Sequence, residues 1–426
     1  MRDKSTPKIK NSKSFNPLLL GTIGYLFLFI FRPYEYWEWL GPYHIERIYM
    51  IGLIFAVTLL SGMRYKHHRV ATALLVFFGV ICFSFVIAYR PDKALDQVWE
   101  YFKLMVLFFV ILLTVKNERD FRLLVIAFLA ITGIYVGKSL WEFIFHGRHI
   151  YRMGIRRLVG IDTTFNDPNT FAATIIYSLP FAWAVWKTKP SPRIKKGLIF
   201  YGVMSVAAIG LTGSRAGMVS FIFFLFLLWI RGKKKVIGAF GIAIILAIGW
   251  FTMSEELQMR FETIYDQSIN PSAAASAQGR LEGLKNGIKL FWLSPLWGWG
   301  VGNFPYAVEV VGGTSGRQAH NLYGQLLADL GILGTIPFIW LCYLIFKTQR
   351  KVVNLKPKRP DDNLYLQMSI ACFNTVLLLL FQGNFGHNLY RYTWIWISAI
   401  LILAQQLSKK ATDNGNLLNG YLPPNR

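Results

Sequence analysis

Residues 70–89 read VATALLVFFGVICFSFVIAY, a run of twenty residues without a single charge. A helix of about 20 apolar residues is long enough to cross the ~30 Å hydrocarbon core of a bilayer. Comparable runs recur along the 426-residue chain, which is 54% hydrophobic with a mean hydropathy of +0.38. Charged residues make up only 16%, against about 25% in soluble globular proteins. The composition predicts an all-α polytopic membrane protein and excludes disordered, collagen-like and disulfide-scaffold chains.

The apolar runs predict about twelve transmembrane helices, most of them joined by short connections. The predicted spans are 17–31, 45–62, 70–89, 98–115, 121–145, 168–186, 197–212, 216–230, 236–252, 321–346, 366–382 and 392–407. No internal repeat or compact soluble domain interrupts this pattern, so residues 1–426 are expected to form a single integral-membrane domain.

The basic residues that give the net charge of +24 are distributed as the predicted topology requires. With a cytoplasmic N-terminus, 29 Lys and Arg lie in or at the edge of cytoplasmic segments, 14 lie on the opposite side, and 3 lie inside spans. An excess of basic residues in short cytoplasmic loops is typical of polytopic membrane proteins. We therefore attribute most of the basicity to membrane topology and expect lipids, and no nucleic acid, as its partners.

The three cysteines, Cys82, Cys342 and Cys372, all lie within apolar runs. Buried thiols in such runs behave as small apolar residues, so we expect neither disulfides nor a metal cluster. The carboxylates predicted on the outer side do not form the close group that a Mg²⁺ site would need. The sequence thus favours chemistry without a metal or other cofactor.

Residues 253–320 form the only long connection, and the charge pattern places it outside the cytoplasm. Long loops of this kind are usually functional or disordered. Leu281, Leu284 and Ile288 recur at helical spacing, which predicts an amphipathic helix lying along the membrane surface. Ser294-Pro295 is expected to end this helix, and the glycine-rich stretch 297–304, WGWGVGNF, follows it.

Residues 212–217, TGSRAG, join two apolar runs and place Arg215 at the outer membrane boundary. The small residues on both sides, Ser214 among them, allow close approach of a ligand to the backbone. The next helix begins here, and its N-terminal amides favour an anion. Arginine at a helix N-terminus therefore predicts a phosphate site. The alternative is an ordinary arginine that extends from a helix end toward the interface.

Two further residues of the long outer connection are candidates for chemistry. Arg280 lies on the amphipathic helix, where it is either a ligand for an anion or a solvated charge. His320 lies where the connection enters the next span, flanked by Arg317, Asn321 and Tyr323. A neutral imidazole there accepts a proton from a hydroxyl group, since its unperturbed pKa is near 6.5. The alternative for His320 is a helix-end anchor.

The outer side carries two other polar segments. Asp167 and Asn169 lie in the stretch 165–170, FNDPNT, where Asp or Asn before Pro predicts a helix N-cap. The segment before it holds four arginines on the side where basic residues are otherwise scarce, as expected for an anionic ligand or for lipid headgroups: Arg148, Arg152, Arg156 and Arg157. The loop 382–391, which ends with Arg391, is another polar outer segment and is less informative.

The order of these motifs resembles the O-antigen ligase and O-antigen polymerase superfamily. The shared features are residues 213–217, GSRAG, between two helices, then Arg280 and residues 294–300, SPLWGWG, in a long outer loop, and then residues 320–323, HNLY. The resemblance is clear over roughly residues 160–345 and rests on helix count elsewhere. Members of this superfamily are membrane glycosyltransferases whose mainly helical fold is related to the GT-C class.

The resemblance implies transfer of a glycan from an undecaprenyl-diphosphate carrier on the periplasmic face of the inner membrane. It implies that Arg215 and Arg280 hold the donor diphosphate and that His320 lies beside the acceptor hydroxyl, with no metal or sugar nucleotide. Asp167-Pro168-Asn169 also looks like the family's pattern. The remaining candidates for substrate binding are Arg156, Arg157, Asp167, Asn169, Ser214, Arg317, Asn321, Tyr323 and Arg391.

The acceptor stays open at this point. Ligases transfer to lipid A core, polymerases transfer to another lipid-linked repeat, and related enzymes transfer to protein hydroxyls. A transporter or flippase of lipid-linked glycan is the competing class, because transporters often carry ionisable residues within spans. The polar candidates gather on one side of the membrane, which favours an enzyme.

Overall fold

The computed structural model describes residues 16–62, 66–152, 154–162, 166–266, 271–355 and 363–419. Within these ranges the chain forms sixteen α-helices, two short 3₁₀ helices and one β-hairpin. The α-helices are α1 Pro17–Phe31, α2 Pro33–Tyr36, α3 Ile45–Leu60, α4 Arg69–Val86, α5 Pro91–Thr114, α6 Glu118–Phe145, α7 Pro168–Lys187, α8 Pro192–Leu211, α9 Arg215–Arg231, α10 Lys235–Phe251, α11 Glu255–Glu262, α12 Pro271–Leu293, α13 Phe304–Ala307, α14 Leu322–Val353, α15 Leu364–Gln382 and α16 Tyr392–Asn419. The 3₁₀ helices are Glu38–Tyr43 and Val308–Val311.

Each of the twelve predicted spans coincides with one of these helices. The largest differences are at helix ends: α5 begins at Pro91, where proline fits the first helical position, and α14 and α16 extend beyond their apolar runs. Within the described residues, eight helical stretches are long and apolar enough to cross a membrane. The protein is therefore a mainly helical polytopic membrane protein, while the count of twelve crossings stays a prediction.

The bundle is packed around α15, which contacts α7, α9, α14 and α16. By contrast, α10 packs mainly against α8 and α9 and has no buried side chain among its residues. Its apolar side chains, such as Ile237 and Phe240, are exposed. In a bilayer this exposure carries little penalty, because lipid tails are as apolar as the protein interior. We therefore interpret α10 as a helix whose apolar side chains face lipid.

The long connection 253–320 contains helices α11, α12 and α13. The helix predicted in this connection corresponds to α12, which ends at Leu293, directly before Ser294-Pro295. Its amphipathic character and its place along the membrane surface stay predictions. On α12, Gly283 and Gly287 lie against the chain at the start of α14. A Cβ atom on Gly283 would overlap the Ala319 carbonyl, and one on Gly287 would overlap the backbone of Gly324. These glycines thus allow α12 to pack directly beside the residues around His320.

Helix α14 is broken at Gly331, whose φ of 56° and ψ of −153° are not helical. The sequence reads as one continuous apolar span here, so this break was not predicted. In an unbroken helix the Ala328 and Asp329 carbonyls would accept hydrogen bonds from the amides of Ile332 and Leu333. The break frees all four groups, and freed backbone groups within a membrane must find partners inside the protein.

The glycine-rich stretch 297–304 and the residues before it supply those partners. The Trp299 amide donates to the Ala328 carbonyl at 2.8 Å, and the Gly300 amide donates to the Asp329 carbonyl at 2.9 Å. On the other side of the break, the Ile332 and Leu333 amides donate to the carbonyls of Pro295 and Leu296 at 2.9 and 3.2 Å. The connection and the broken helix therefore complete each other's backbone hydrogen bonding.

The Asp329 side chain fixes the same junction and is fully buried. Its carboxylate accepts hydrogen bonds from the amide of Phe304 at 2.8 Å, the amide of Gly302 at 3.1 Å and the hydroxyl of Tyr390 at 3.0 Å. The side chain thereby joins the end of the long connection to the segment that leads into α16.

A small β-hairpin lies before α7 and departs from the all-helical expectation. Strands β1 Ile150–Arg152 and β2 Ile155–Arg157 pair antiparallel. Strands of three residues are too short for a pattern of alternating polarity to reveal them. Successive side chains of a strand point to opposite faces, so Arg157 is buried while its neighbour Arg156 is exposed.

We expect Asp329→Ala to lower the thermal stability of the detergent-purified protein more than Tyr390→Phe does. The first substitution leaves two buried backbone amides without their acceptor, at about 1–3 kcal/mol for each orphaned group. The second removes one donor and leaves the amides satisfied. Intrinsic-fluorescence unfolding curves of the two variants test this, and equal midpoints would contradict the role given to Asp329.

Candidate active site

A cavity of about 330 Å³ opens at the end of the bundle where α7, α9 and α14 begin and α15 ends. Seven arginines line it, together with His320, His387 and a single carboxylate, Asp167. The arginines come from the hairpin, from α9, α11 and α12, and from the segments that precede α14 and α16. They are Arg152, Arg157, Arg215, Arg260, Arg280, Arg317 and Arg391. Such an excess of positive charge fits an anionic ligand.

The base of the cavity is a polar network between the hairpin, α7 and α9. The Arg157 guanidinium is buried and donates to the Thr212 carbonyl at 2.7 Å and to Asn169 Oδ1 at 3.3 Å. The Ser214 hydroxyl donates to the same Asn169 oxygen at 2.8 Å and accepts from the Gly217 amide at 3.0 Å as the N-cap of α9. The predicted helix start at Arg215 is confirmed, and Ser214 and Asn169 position it.

Asp167 caps α7 as predicted, since its carboxylate accepts a hydrogen bond from the Thr170 amide at 2.8 Å. It also accepts from Asn169 Nδ2 at 3.5 Å. Two other residues of α7 contact Arg391. The Thr174 hydroxyl accepts a hydrogen bond from Arg391 at 3.1 Å, and the Arg391 guanidinium lies 5.8 Å from the centre of the Tyr177 ring. These contacts hold Asp167 and Arg391 on one wall of the cavity.

Arg215 and Arg260 lie side by side near the end of α11. Arg215 is 8% exposed and donates to the Thr263 hydroxyl at 3.1 Å. Arg260 donates to the Gly213 carbonyl at 2.6 Å. Gly213 has a φ of 55°, and a Cβ there would overlap Ile155 and press on Arg260. The glycine of the GSRAG motif therefore makes room for a second arginine beside the first.

Arg280 reaches the cavity from α12 and lies over the Phe385 ring, with its guanidinium carbon 5.7 Å from the ring centre. Arg317, on the segment after α13, contacts Glu282 of α12 at 3.3 Å. Among the described residues Arg280 has no hydrogen-bond partner, so its donors are available to a ligand.

Burial and repulsion between neighbouring arginines both lower the pKa values of these residues. Burial, and then Arg260, lower the pKa of Arg157 to about 9. Burial, and then Arg215 and Arg280, lower the pKa of Arg260 to about 10. The pKa of Arg280 is lowered by burial and by Arg215. A bound anion would relieve this repulsion, so the cavity is preorganised for negative charge.

His320 lies at the rim of the cavity and adopts a left-handed backbone conformation, with φ of 45°. Its ring centre is 5.3 Å from that of His387, in the segment between α15 and α16. Burial lowers the pKa of His320, and Arg280, Arg152 and Arg317 lower it further, while Asp167 opposes them. Burial, then His320 and Arg391, lower the pKa of His387 to about 4. Both imidazoles are therefore neutral at pH 7.

Three buried polar atoms around His387 have no hydrogen-bond partner among the described residues. They are His387 Nδ1, Gln382 Oε1 and Asn388 Oδ1. All three residues line the cavity. Buried polar atoms are normally satisfied, so this side of the cavity is suited to a ligand that donates hydrogen bonds, as sugar hydroxyls do.

The structure brings most of the predicted site residues to the cavity and leaves others outside it. Those that line it are Arg157, Asp167, Asn169, Arg215, Arg280, Arg317, His320 and Arg391. Arg156 points away from it and is exposed. Ser214 and Asn321 cap α9 and α14, and the Tyr323 hydroxyl donates to the Leu380 carbonyl at 2.9 Å. Ser214, Asn321 and Tyr323 thus belong to the framework around the cavity.

Sequence reasoning missed Arg260 and gave little weight to His387. A signal for Arg260 was present, because it is one of few basic residues in the predicted outer segments. The loop 382–391 was noted only as polar, and no spacing along the chain relates His387 to His320, which lies 67 positions earlier.

Comparison with protein families finds one match. A family model described as O-Antigen ligase matches residues 200–339, about a third of the chain. The matched segment runs from α8 into α14 and contains Arg215, Arg260, Arg280 and His320. It confirms the resemblance to the O-antigen ligase superfamily. No curated protein matches the chain.

We expect inorganic diphosphate to raise the unfolding temperature of the purified protein, and Arg280→Gln to remove most of that increase. Arg280 faces the cavity with its donors available, whereas Lys289 on the same helix is exposed and outside the cavity. Lys289→Gln is the matched control, with the same change of charge. A loss of equal size in both variants would show that net charge, not the cavity, attracts the anion.

Proposed function

We propose that this protein is a periplasm-facing glycosyltransferase of the O-antigen ligase type, which moves a glycan from an undecaprenyl-diphosphate carrier to an acceptor hydroxyl. One observation supports the proposal above the others. Arg215, Arg280 and His320 come from three separate helices or helix starts and line one cavity, and all three lie in the segment that matches the O-antigen ligase family.

The arginines suit a diphosphate better than a single carboxylate or sulfate. Guanidinium groups bind phosphate oxygens through paired hydrogen bonds, and Arg215, Arg260 and Arg280 are close enough to shift one another's pKa values or those of their neighbours. As the glycan leaves the carrier, negative charge grows on the departing diphosphate. Fixed positive groups in a poorly hydrated cavity stabilise that charge most in the transition state.

In the proposed reaction the acceptor oxygen attacks the anomeric carbon of the glycan. The bond from that carbon to the diphosphate oxygen breaks, and undecaprenyl diphosphate leaves with the bonding electrons. The acceptor proton passes to the neutral imidazole of His320. Because one displacement occurs at the anomeric carbon, the configuration there inverts.

The scarcity of carboxylates in the cavity lining argues against a retaining reaction and against a bound divalent metal. Retention requires a carboxylate nucleophile, and a metal such as Mg²⁺ prefers several carboxylate or carbonyl oxygens. Asp167 is the single carboxylate in the lining, and it is engaged with the Thr170 amide and Asn169. We therefore propose an inverting, metal-independent transfer.

His387 is proposed as a positioning residue for the acceptor. Its ring faces His320, and its pKa of about 4 keeps it neutral. With Gln382 and Asn388 it presents acceptor atoms that lack protein partners. Sugar hydroxyl donors on these atoms would orient the reacting hydroxyl toward His320.

The transporter alternative is less well supported by the charges within the helices. Lys103 is paired with Glu100 at 2.8 Å and Glu46 at 3.6 Å, and Lys138 is paired with Glu142 at 2.6 Å. Both lysines thus have carboxylate partners within the bundle, which gives them a structural role.

A polymerase or a protein O-oligosaccharyltransferase of the same superfamily would use the same cavity. The glycans of a deletion strain separate these activities. Uncapped lipid A core indicates a ligase, single-repeat chains indicate a polymerase, and unglycosylated protein indicates a protein transferase. Unchanged glycans of all three kinds would contradict the proposed function.

We expect Arg215→Lys and Arg280→Lys each to lower the transfer rate about 30- to 1000-fold, with unchanged protein level. Lysine keeps the charge but cannot make the two-pronged contact to phosphate oxygens, and loss of such a contact removes about 2–4 kcal/mol of transition-state stabilisation. In vitro transfer from a lipid-diphosphate donor measures the rate. Arg156→Lys, on the exposed face of the hairpin, is the control. Wild-type rates in the two cavity variants would rule out bidentate recognition.

We expect His320→Ala to abolish transfer while the binding of a lipid-diphosphate analogue stays within a few-fold of wild type, because the diphosphate contacts lie on arginines. Since the pKa of His320 lies below its ordinary value of 6.5 in the free protein, the neutral base persists to mildly acidic pH. The acid limb of kcat/KM should therefore have its midpoint below pH 6.5. The negative charge of bound diphosphate raises the pKa of His320 in the enzyme–substrate complex. The acid limb of the kcat profile should therefore have its midpoint at a higher pH than the acid limb of kcat/KM.

Two results would contradict this role for His320. A large loss of analogue affinity in His320→Ala would place the imidazole in the donor site. Normal turnover of the variant would leave His320 as a helix-end anchor.

A further inference from the structure

A second cavity lies at the other end of the bundle and plays no part in the proposed transfer. It has a volume of about 1140 Å³ and is bordered by the connection from α3 to α4, the end of α5, the last turns of α14 and the middle of α16. Arg391 of the first cavity directly precedes α16, and Lys410 of this cavity lies 18 residues after the first residue of α16, Tyr392, which corresponds to about 27 Å of helix. The separation of the two cavities is thus comparable to the ~30 Å hydrocarbon core of a bilayer.

Among the residues that the structure describes, the charged side chains lining this second cavity are all basic. Seven lysines and arginines and two histidines line it, and none of the described lining residues is Asp or Glu. The basic residues are Lys66, Arg69, Lys116, Lys347, Lys351, Lys409 and Lys410. No ion pair is found for them in the part of the chain that the structure describes.

The usual excess of basic residues in cytoplasmic loops does not by itself account for this arrangement. The connections from α7 to α8 and from α9 to α10 are also rich in lysine, for example at Lys195 and Lys196, yet they do not line either cavity. What distinguishes the second cavity is that basic residues from four separate segments converge on one concave space.

The wall below the basic residues is apolar. Leu112, Leu344 and Leu403 line the same cavity as the lysines. On α16, Leu403 precedes Lys409 by six residues, or ~9 Å of helix, so the cavity reaches well below the level of the charges. A ligand that fills it needs an anionic group at the rim and an apolar body beneath.

The framework of this cavity is held by specific hydrogen bonds. His68 Nε2 contacts Gln405 Oε1 at 2.6 Å, and His68 Nδ1 accepts from the Val70 amide at 3.1 Å. The second contact leaves the proton on Nε2, so this imidazole is neutral, and burial lowers its pKa in agreement. Gln406 donates to the Lys66 carbonyl at 3.4 Å. These bonds join the connection before α4 to α16 and make the cavity a built site.

From this combination we propose that the second cavity binds an anionic glycerophospholipid of the adjacent leaflet. The phosphate lies among the lysines, and the acyl chains lie along the leucine wall. Basic pockets between transmembrane helices on the cytoplasmic side are known to recognise such headgroups. The lipid would bind α4, α5, α14 and α16 together at the end remote from the arginine cavity.

The test measures binding of a fluorescent phosphatidylglycerol to the purified full-length protein in non-ionic detergent. The double variant Lys116→Gln/Lys351→Gln removes two exposed lysines from opposite walls of the cavity. We expect its Kd to rise about 30-fold, since each lysine near an anionic headgroup contributes about 1 kcal/mol. The control Lys195→Gln/Lys196→Gln has the same change of charge outside the cavity and should change the Kd less than 2-fold.

Competition identifies the ligand class. Unlabelled phosphatidylglycerol should displace the probe at far lower concentration than phosphatidylcholine of the same acyl chains or sn-glycerol 3-phosphate. Equal competition by sn-glycerol 3-phosphate would reduce the site to a soluble-anion site and overturn the lipid assignment. Equal weakening in both double variants, or an unchanged Kd in the cavity variant, would overturn the site itself.

Discussion

The architecture depends on the break in α14 at Gly331, because unpaired backbone groups cannot remain inside a membrane protein. The residues from Pro295 to Gly300 satisfy the freed groups with four hydrogen bonds. A Cβ at Gly331 would overlap the backbone of Gly298, and a Cβ at Gly298 would overlap that of Asp329, so neither segment can take this course without the other. The long connection 253–320 is thereby fixed to the bundle, and α12, which carries Arg280, is fixed with it.

The arginine cavity exists because this framework holds like charges together. Guanidinium groups that repel one another would separate if their segments were free to move. Here Arg157 is tied to the Thr212 carbonyl, Arg260 to the Gly213 carbonyl and Arg215 to Thr263. The stability of the bundle therefore maintains a positive potential that only a bound anion neutralises. Preorganisation of this kind favours a diphosphate leaving group, because no rearrangement is needed as its charge develops.

The positions of the helices could be predicted from the sequence far better than their packing against one another. Apolar runs such as residues 70–89 have the length and composition of a membrane span, so their helices follow from the bilayer itself. The break at Gly331 was not predicted, because residues 330–334 read as continuous apolar helix. Arg215, Arg280 and His320 stood out as polar residues among small or apolar neighbours. By contrast, the register of a short hairpin decides that Arg157 faces the cavity and Arg156 does not, and packing between distant segments brings His387 to His320.

The conformation of His320 shows how these constraints reach the proposed chemistry. A left-handed φ in a residue other than glycine costs about 1–3 kcal/mol and persists only where the surroundings enforce it. On one side of His320, the Ala319 backbone packs against Gly283 of α12. On the other, Asn321 caps α14, and the Leu322 amide donates to the Gly383 carbonyl at 2.6 Å. With both neighbours held, the chain between them must turn through the strained conformation, and the imidazole is directed to the rim of the cavity. The helix contact that delivers Arg280 to the cavity thus also sets the position of the imidazole that we propose as the base.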